Sequence, residues 1–319
     1  MAGPRARASS ETPARGPERA GAYLLQFQGR AQVTTAFGYG TFRVGATDHG
    51  YTLPFGAGYD AQNNATTAFV NVSSNAGILY LTFTQTRRLP ADTAATGVRA
   101  VKLMAPLAPG RTNHHPVGSY FAEPLKTALA RYTALRWILN FDTDQNWPDR
   151  VRPSHSSHAD IGRQRYWEQM VMLANETGKD LYLCFPVRAT DDYIARVARL
   201  IRYGSDGIEP YTSDQANPLF PPLNSNLRVI VERENEIWNF SFANFGNNVA
   251  DLLAAAAANA PDWQAVNYDG AFNGHPQDAW QRWHALRTVR ASQIFRGIWG
   301  ETAMGRRVRV LYEIGRAHV

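Results

Sequence analysis

The spacing of apolar residues changes once along this chain, and that change constrains the fold more than any other feature. From Ala22 to about Arg88 the apolar residues fall in short runs (Tyr23–Phe27, Gln32–Thr35, Thr41–Val44, Thr67–Val72, Ile78–Thr84) separated by Gly, Asn and Asp. Strict alternation in Ala68-Phe69-Val70-Asn71-Val72 and Leu79-Tyr80-Leu81-Thr82-Phe83 predicts strands with one buried face. Beyond Gly97 the pattern becomes strand, then helix, repeatedly. Strands are expected at Val98–Leu103, Ala134–Leu139, Asp180–Phe185, Leu227–Val231 and Arg307–Tyr312. Helical periodicity lies between them, over Tyr120–Tyr132, Arg163–Thr177, Asp191–Tyr203, Asn244–Ala258 and Asp278–Trp299. Strands alternating with helices of this length predict βα units around a parallel sheet. The expected architecture is therefore α/β: a disordered lead-in over 1–20, a sandwich-like β-rich domain over 21–97, then βα units over 98–313. Both a doubly wound sheet and the first five strands of an incomplete (β/α)8 TIM barrel fit this order.

Composition removes several classes. Hydrophobic residues make up 44% of the 319, which suits a packed core and not a disordered or fibrous chain. No apolar stretch approaches the roughly 18 residues of a membrane span. The net charge of +6 invites a nucleic-acid reading, but only Lys102, Lys126 and Lys179 of the 33 basic residues are lysines, and the arginines are scattered. A solvated basic surface explains them better than a nucleic-acid footprint. The single cysteine, Cys184, excludes an internal disulfide; within Leu181-Tyr182-Leu183-Cys184-Phe185 it reads as a buried, inert thiol. No GxGxxG follows the first α/β strand and no P-loop occurs, which weighs against a nucleotide-dependent enzyme.

Chemistry-bearing residues gather where the α/β strands end. The second runs into Asn140-Phe141-Asp142-Thr143-Asp144-Gln145-Asn146-Trp147, the third into Arg188 and Asp191-Asp192, and the fourth into Glu232-Arg233-Glu234-Asn235-Glu236-Ile237-Trp238-Asn239. Carboxylates and amides beside tryptophans suit a sugar, whose ring stacks on an apolar face while its hydroxyls need polar partners. Trp147 and Trp238 are the candidate platforms, and Asp142, Asn146 and Asn235 the candidate hydroxyl partners. Glu232 and Glu234 flank Glu236; alternation is expected to turn at least one of them outward. His114-His115 and His155-Ser-Ser-His158 lack a third ligand at suitable spacing, so no metal is expected. Trp280 and Trp283 share a helical face with Leu286 and read as core. Thr190 reads as a helix N-cap with Asp191-Asp192 at the dipole.

The fourth-strand segment, an apolar strand delivering Asn235-Glu236 into Ile237-Trp238-Asn239, resembles the acid/base motif of clan A retaining glycoside hydrolases, which have cellulase-like TIM barrels. Asn175-Glu176 is the same dipeptide inside a helix, so the dipeptide alone carries little. The resemblance spans about residues 98–312. Val98–Pro106, the third-strand turn and Val231–Asn239 look like stretches of uncharacterised secreted bacterial proteins with a β-rich region before such a barrel; those carry an arginine where Ala105 stands. It implies hydrolysis of a plant- or microbial-type β-glycan by a retaining double displacement, with Glu236 as general acid/base and Asn235 on the sugar 2-hydroxyl. It implies an extracellular or periplasmic location, an oligo- or polysaccharide partner and no cofactor. The clan's nucleophile, a glutamate ending the seventh strand, falls outside this chain. Residues 314–319 (Ile314-Gly315-Arg316-Ala317-His318-Val319) look like a sequencing-adapter scar with Glu313 partly adapter-coded, so the natural chain is expected to continue and this fragment to be inactive. The alternative is a non-catalytic carbohydrate-binding or cell-surface protein on the same scaffold.

Overall fold

The computed structural model of the chain describes residues 19–138, 145–154 and 166–313. It divides into two compact units, 1–126 and 127–319.

The first unit is built from two antiparallel sheets. One runs β4(Thr47–Gly50)-β3(Gly40–Val44)-β7(Ala65–Val72)-β1(Gly21–Gln28)-β9(Arg99–Met104), with β6(Tyr59–Asp60) also on β7; the other runs β5(Thr52–Leu53)-β2(Arg30–Thr35)-β8(Leu81–Arg87). Alternate residues of both sheets share one core: Leu25, Phe27, Phe42, Ala68 and Val70 from the first, Val33 and Leu53 from the second. Phe27 meets Phe83 edge to face with centroids 5.3 Å apart. Gly29, between β1 and β2, has φ 99°, and a Cβ there would lie 2.2 Å from the Arg87 carbonyl oxygen, so only glycine permits the crossing.

The expected five-stranded incomplete TIM barrel is not what the chain forms. The segment expected as its first strand, Val98–Leu103, becomes β9 and pairs antiparallel with β1 (Leu24 with Met104, Gln26 with Lys102), so it belongs to the first unit. There it forms the edge strand, with β1 as its one strand neighbour among the described residues. Most of the chain's strands lie in the antiparallel sheets, and the run of regularly alternating β/α units that a barrel requires is not present among the described residues.

The second unit instead holds a four-stranded parallel sheet in the order β10(Ala134–Trp137)-β11(Asp180–Phe185)-β12(Val229–Arg233)-β13(Val308–Leu311). Helix α1(Glu123–Leu129) straddles the division between the units. Helix α2(Trp167–Thr177) precedes β11, α3(Asp191–Tyr203) precedes β12, and α4(Ala243–Ala257), α5(Pro261–Val266) and α6(Trp280–Trp299) lie between β12 and β13. Helix α2 ends at Gly178, whose φ of 66° supplies the left-handed cap. Helix α3 starts at Thr190, whose hydroxyl accepts from the Tyr193 N–H at 3.2 Å, the cap expected of it.

Side chains alternate across the sheet, and the two faces differ in character. In the parallel register, Leu181 is level with Val229, and Leu183 with Val231. These residues are fully buried against Tyr193, Val197 and Ile201 of α3 and Phe295 of α6. The other face carries Arg136 level with Tyr182, and Cys184 level with Glu232. One sheet face is therefore apolar core and the other is charged.

Candidate functional site

Glu232 anchors the charged face. It is 0% exposed, and its carboxylate accepts Arg136 Nη2 at 3.1 and 2.8 Å and the Tyr182 hydroxyl at 2.5 Å. The Cys184 thiol lies 3.6 Å from the same carboxylate. Four residues from three adjacent strands thus converge because each occupies the same phase of the two-residue repeat. For Arg136 burial disfavours the charge, but the bonds to Glu232 outweigh it and hold the guanidinium firmly protonated. Burial, and then the Glu232 charge, push the Tyr182 hydroxyl and the Cys184 thiol up, so both stay neutral. Cys184 is the inert thiol expected.

Beyond Glu232 the strand ends in an unusual turn. Glu234 and Glu236 both have φ 52°, left-handed backbone that residues with a Cβ seldom adopt. The turn is pinned from several sides. The Glu234 N–H donates to the Phe185 carbonyl at 2.9 Å, and the Glu234 carboxylate accepts the Asn235 N–H at 3.0 Å. Arg136 Nη2 also donates to Asn235 Oδ1 at 3.0 Å, so one guanidinium fixes both the buried carboxylate and the orientation of this amide. Among the described residues no group bonds Asn235 Nδ2, which leaves the amide's donor side for a hydroxyl oxygen. Glu236 is partly exposed, and its carboxylate accepts Asn239 Nδ2 at 3.0 Å.

Glu313, just after β13, closes the turn. Its carboxylate accepts the Glu236 N–H at 3.0 Å and the Trp238 indole N–H at 2.9 Å. Burial raises the Glu313 carboxyl above the ordinary range; the Trp238 bond opposes this, and the nearby Glu232 carboxylate adds to it.

Beneath the turn, Arg233 points the opposite way from Glu232 and is buried, with no carboxylate bonded to it among the described residues. It donates to the Val187 carbonyl (2.9 Å) and to Asn248 Oδ1 of α4 (2.6 Å), and its Nη1 lies 3.3 Å from His284 Nδ1 of α6. Burial lowers its pKa to about 9, so it is still protonated at neutral pH. The third-strand loop, α4 and α6 are thereby tied to the base of the turn.

The expected site residues separate. Asn235, Glu236 and Trp238 come together on the turn after β12. Trp147 does not serve as a platform: it is 2% exposed, its indole donates to the Ile208 carbonyl, the Arg150 guanidinium lies 4.2 Å from its ring centroid, and Tyr193 meets it edge-on. Asn146 is exposed, 3.4 Å from Asp149 Oδ2. Asp142, Asp144, His155 and His158 lie outside the described residues. The expectation that Glu232 or Glu234 turns outward fails, since both are 0% exposed; the left-handed residue at 234 breaks the strand's alternation. Asn175 bridges a loop, donating to the Pro222 carbonyl and accepting the Asn224 N–H, a structural role for the helical Asn175-Glu176 dipeptide. Trp283 is core and Trp280 packs against it.

Arg136, Tyr182, Glu313 and His284 were not anticipated from sequence. For the first two a signal existed: a polar side chain inside an apolar strand, in phase with Glu232. Among the described residues no group of three or more His, Cys, Asp and Glu could hold a metal ion, and no helix is long and apolar enough to cross a membrane. Compared with protein-family models, with curated proteins and with solved structures, the chain matches none of them.

Proposed function

We propose that the turn after β12 is the acid/base half of a glycosidase site acting on β-linked glycans with retention. The observation that carries this reading is the left-handed Glu236: a partly exposed carboxylate held on strained backbone, between an amide with a free donor side and an indole ring. Strain of this kind costs on the order of 1–3 kcal/mol per residue and persists where surrounding contacts impose it. Here the Glu313 and Asn239 bonds impose it on Glu236.

In this reading Glu236 protonates the departing glycosidic oxygen and later, as carboxylate, takes the proton of the water that releases the sugar. Asn235 Nδ2 donates to a ring hydroxyl, its direction set by Arg136 on Oδ1. Trp238 offers a ring face while its N–H is held by Glu313. Double displacement also needs a carboxylate nucleophile. Glu232 is not assigned that role, because Arg136 and Tyr182 already hold it in a closed cluster. Glu313 is committed to the turn itself, so no described residue is assigned the nucleophile, and turnover is expected only of a chain that supplies that carboxylate.

A second reading rests on the same bonds. With Glu232 and Glu313 both engaged in holding the turn, the site fits a non-catalytic carbohydrate-binding protein as well. Hydrolysis of end-labelled neutral β-linked hexaoses, followed together with their binding in a longer chain that supplies the nucleophile, separates the two. The glycosidase reading expects Glu236→Gln to lower turnover by about 10²–10⁴ while binding persists. Binding without turnover, unchanged in Glu236→Gln, supports the second reading. Neither binding nor turnover refutes both.

A further inference from the structure

The first unit carries an aromatic cluster that lies largely outside its core, Tyr39 alone of the four rings packing partly against it. Between β2 and β3 the chain turns through Phe37 and Gly38, both left-handed at φ 62° and 66°. Successive left-handed residues are ordinarily Asn-Gly or Gly-Gly, since a bulky side chain at positive φ is a genuine outlier. Phe37 nevertheless occupies that place, and the residue is 70% exposed, so burial does not compensate the strain.

Three tyrosines surround it. Tyr39 lies 6.1 Å and Tyr80 5.8 Å from the Phe37 ring centroid, and Tyr51 approaches Gly38. Backbone bonds hold the group together: the Ala36 N–H to the Tyr80 carbonyl, the Thr35 N–H to the Tyr51 carbonyl, and the Ser73 N–H to the Tyr39 carbonyl. Tyr51 is 55% and Tyr80 51% exposed. Elsewhere in the unit Phe55 and Tyr59 have the Arg30 guanidinium over their rings; among the described residues no cation covers these four. At the edge the Ser73 hydroxyl donates to Asn75 Oδ1, which leaves the exposed Asn75 amide to present its donors.

We infer that Phe37, Tyr39, Tyr51 and Tyr80 form a second glycan-binding surface, for a neutral β-linked polysaccharide chain. Flat rings with exposed faces match the C–H faces of pyranose rings, and the tyrosine hydroxyls with Ser73 and Asn75 match their hydroxyls. The six residues carry no charge, which disfavours phosphate-bearing or acidic polymers. The choice of ligand class rests on the proposed function; the existence of the platform does not.

The test reads this surface alone by working in the Trp238→Ala full-length chain. Cellohexaose, xylohexaose and mannohexaose are titrated by calorimetry, with phosphatidylglycerol vesicles as a separate arm. At least one hexaose is expected to bind, and adding Phe37→Asn or Tyr80→Ala is expected to raise its Kd at least tenfold. Because Asn tolerates the left-handed backbone, Phe37→Asn is expected to leave Tm equal or higher. No hexaose binding in the Trp238→Ala chain, or binding insensitive to both substitutions, overturns the inference. That result leaves the proposed function standing if the Trp238-containing chain still binds or hydrolyses the same sugars. A Tm lowered by several degrees in Phe37→Asn, or binding to vesicles and not to sugars, also overturns it.

Discussion

Replacing His284 by glutamine isolates the electrostatics beneath the turn. The ring is 1% exposed, with Nδ1 3.3 Å from Arg233 Nη1 and Nε2 3.1 Å from the Glu313 carbonyl oxygen. A guanidinium only donates and a carbonyl only accepts, so these partners assign a neutral ring with its proton on Nε2. Burial first, and the Arg233 charge second, hold its pKa down to about 3, against the Glu313 carbonyl, which favours the charged form. An unfolded histidine titrates near 6.5. Between these values the unfolded chain binds a proton that the folded chain refuses, so this contribution to stability is complete above about pH 6.5 and lost as pH falls toward 3. At about 1.4 kcal/mol per pH unit, the loss between pH 7 and 4.5 comes to roughly 3 kcal/mol. Glutamine can accept from Arg233 and donate to Glu313 without titrating. Urea unfolding of both chains at pH 7, 6, 5 and 4.5 gives the difference directly, with the titration of carboxylates common to both cancelling. The native chain is expected to lose about 3 kcal/mol relative to His284→Gln across that range. A difference independent of pH would refute the neutral, buried ring.

Two further substitutions probe the second unit. Arg150 and Glu168 form an ion pair with side chains 1% and 0% exposed, and Glu168 also accepts the Ser205 hydroxyl. Arg150→Met strands the carboxylate and is expected to cost about 3–5 kcal/mol in chemical denaturation, with most of it recovered in the Arg150→Met, Glu168→Met double variant; a single-variant loss under 1 kcal/mol would contradict the account. Thr190→Ala removes the α3 cap and is expected to cost about 1 kcal/mol, measured the same way, and no change would mean that Asp191 and Asp192 alone suffice at that helix start.

Local features were the legible ones. Alternation at 68–72 marks β7, Gly178 and Thr190 mark helix ends, and the isolated cysteine in an apolar run marks a buried thiol, because each depends on neighbours within a few residues. Pairing was not legible. The Arg99–Met104 strand reads the same whether it opens a parallel sheet or completes an antiparallel one, and only contact with β1, some 75 residues earlier, decides. That one pairing removes the barrel. The candidate site shows the same division. The Asn235-Glu236-Ile237-Trp238 segment stands out in sequence, whereas the bonds shaping it come from Arg136 and Glu313 on two other strands or their ends. Trp147 was misplaced for a related reason: composition cannot tell a platform from a core ring until Arg150 and Tyr193 are seen against its faces. The left-handed backbone at Glu234 and Glu236 has no sequence signal, since neither is glycine or asparagine.

The central claim is that Glu236 transfers the proton at a glycosidic bond. Its most direct test follows product release from an end-labelled neutral β-linked hexaose by a longer chain that supplies the nucleophile and by its Glu236→Gln variant, with Kd measured for both. The account predicts turnover lower by about 10²–10⁴ in the variant with Kd changed less than threefold. A loss smaller than tenfold, or turnover absent from the nucleophile-bearing chain although it binds the sugar, would contradict it.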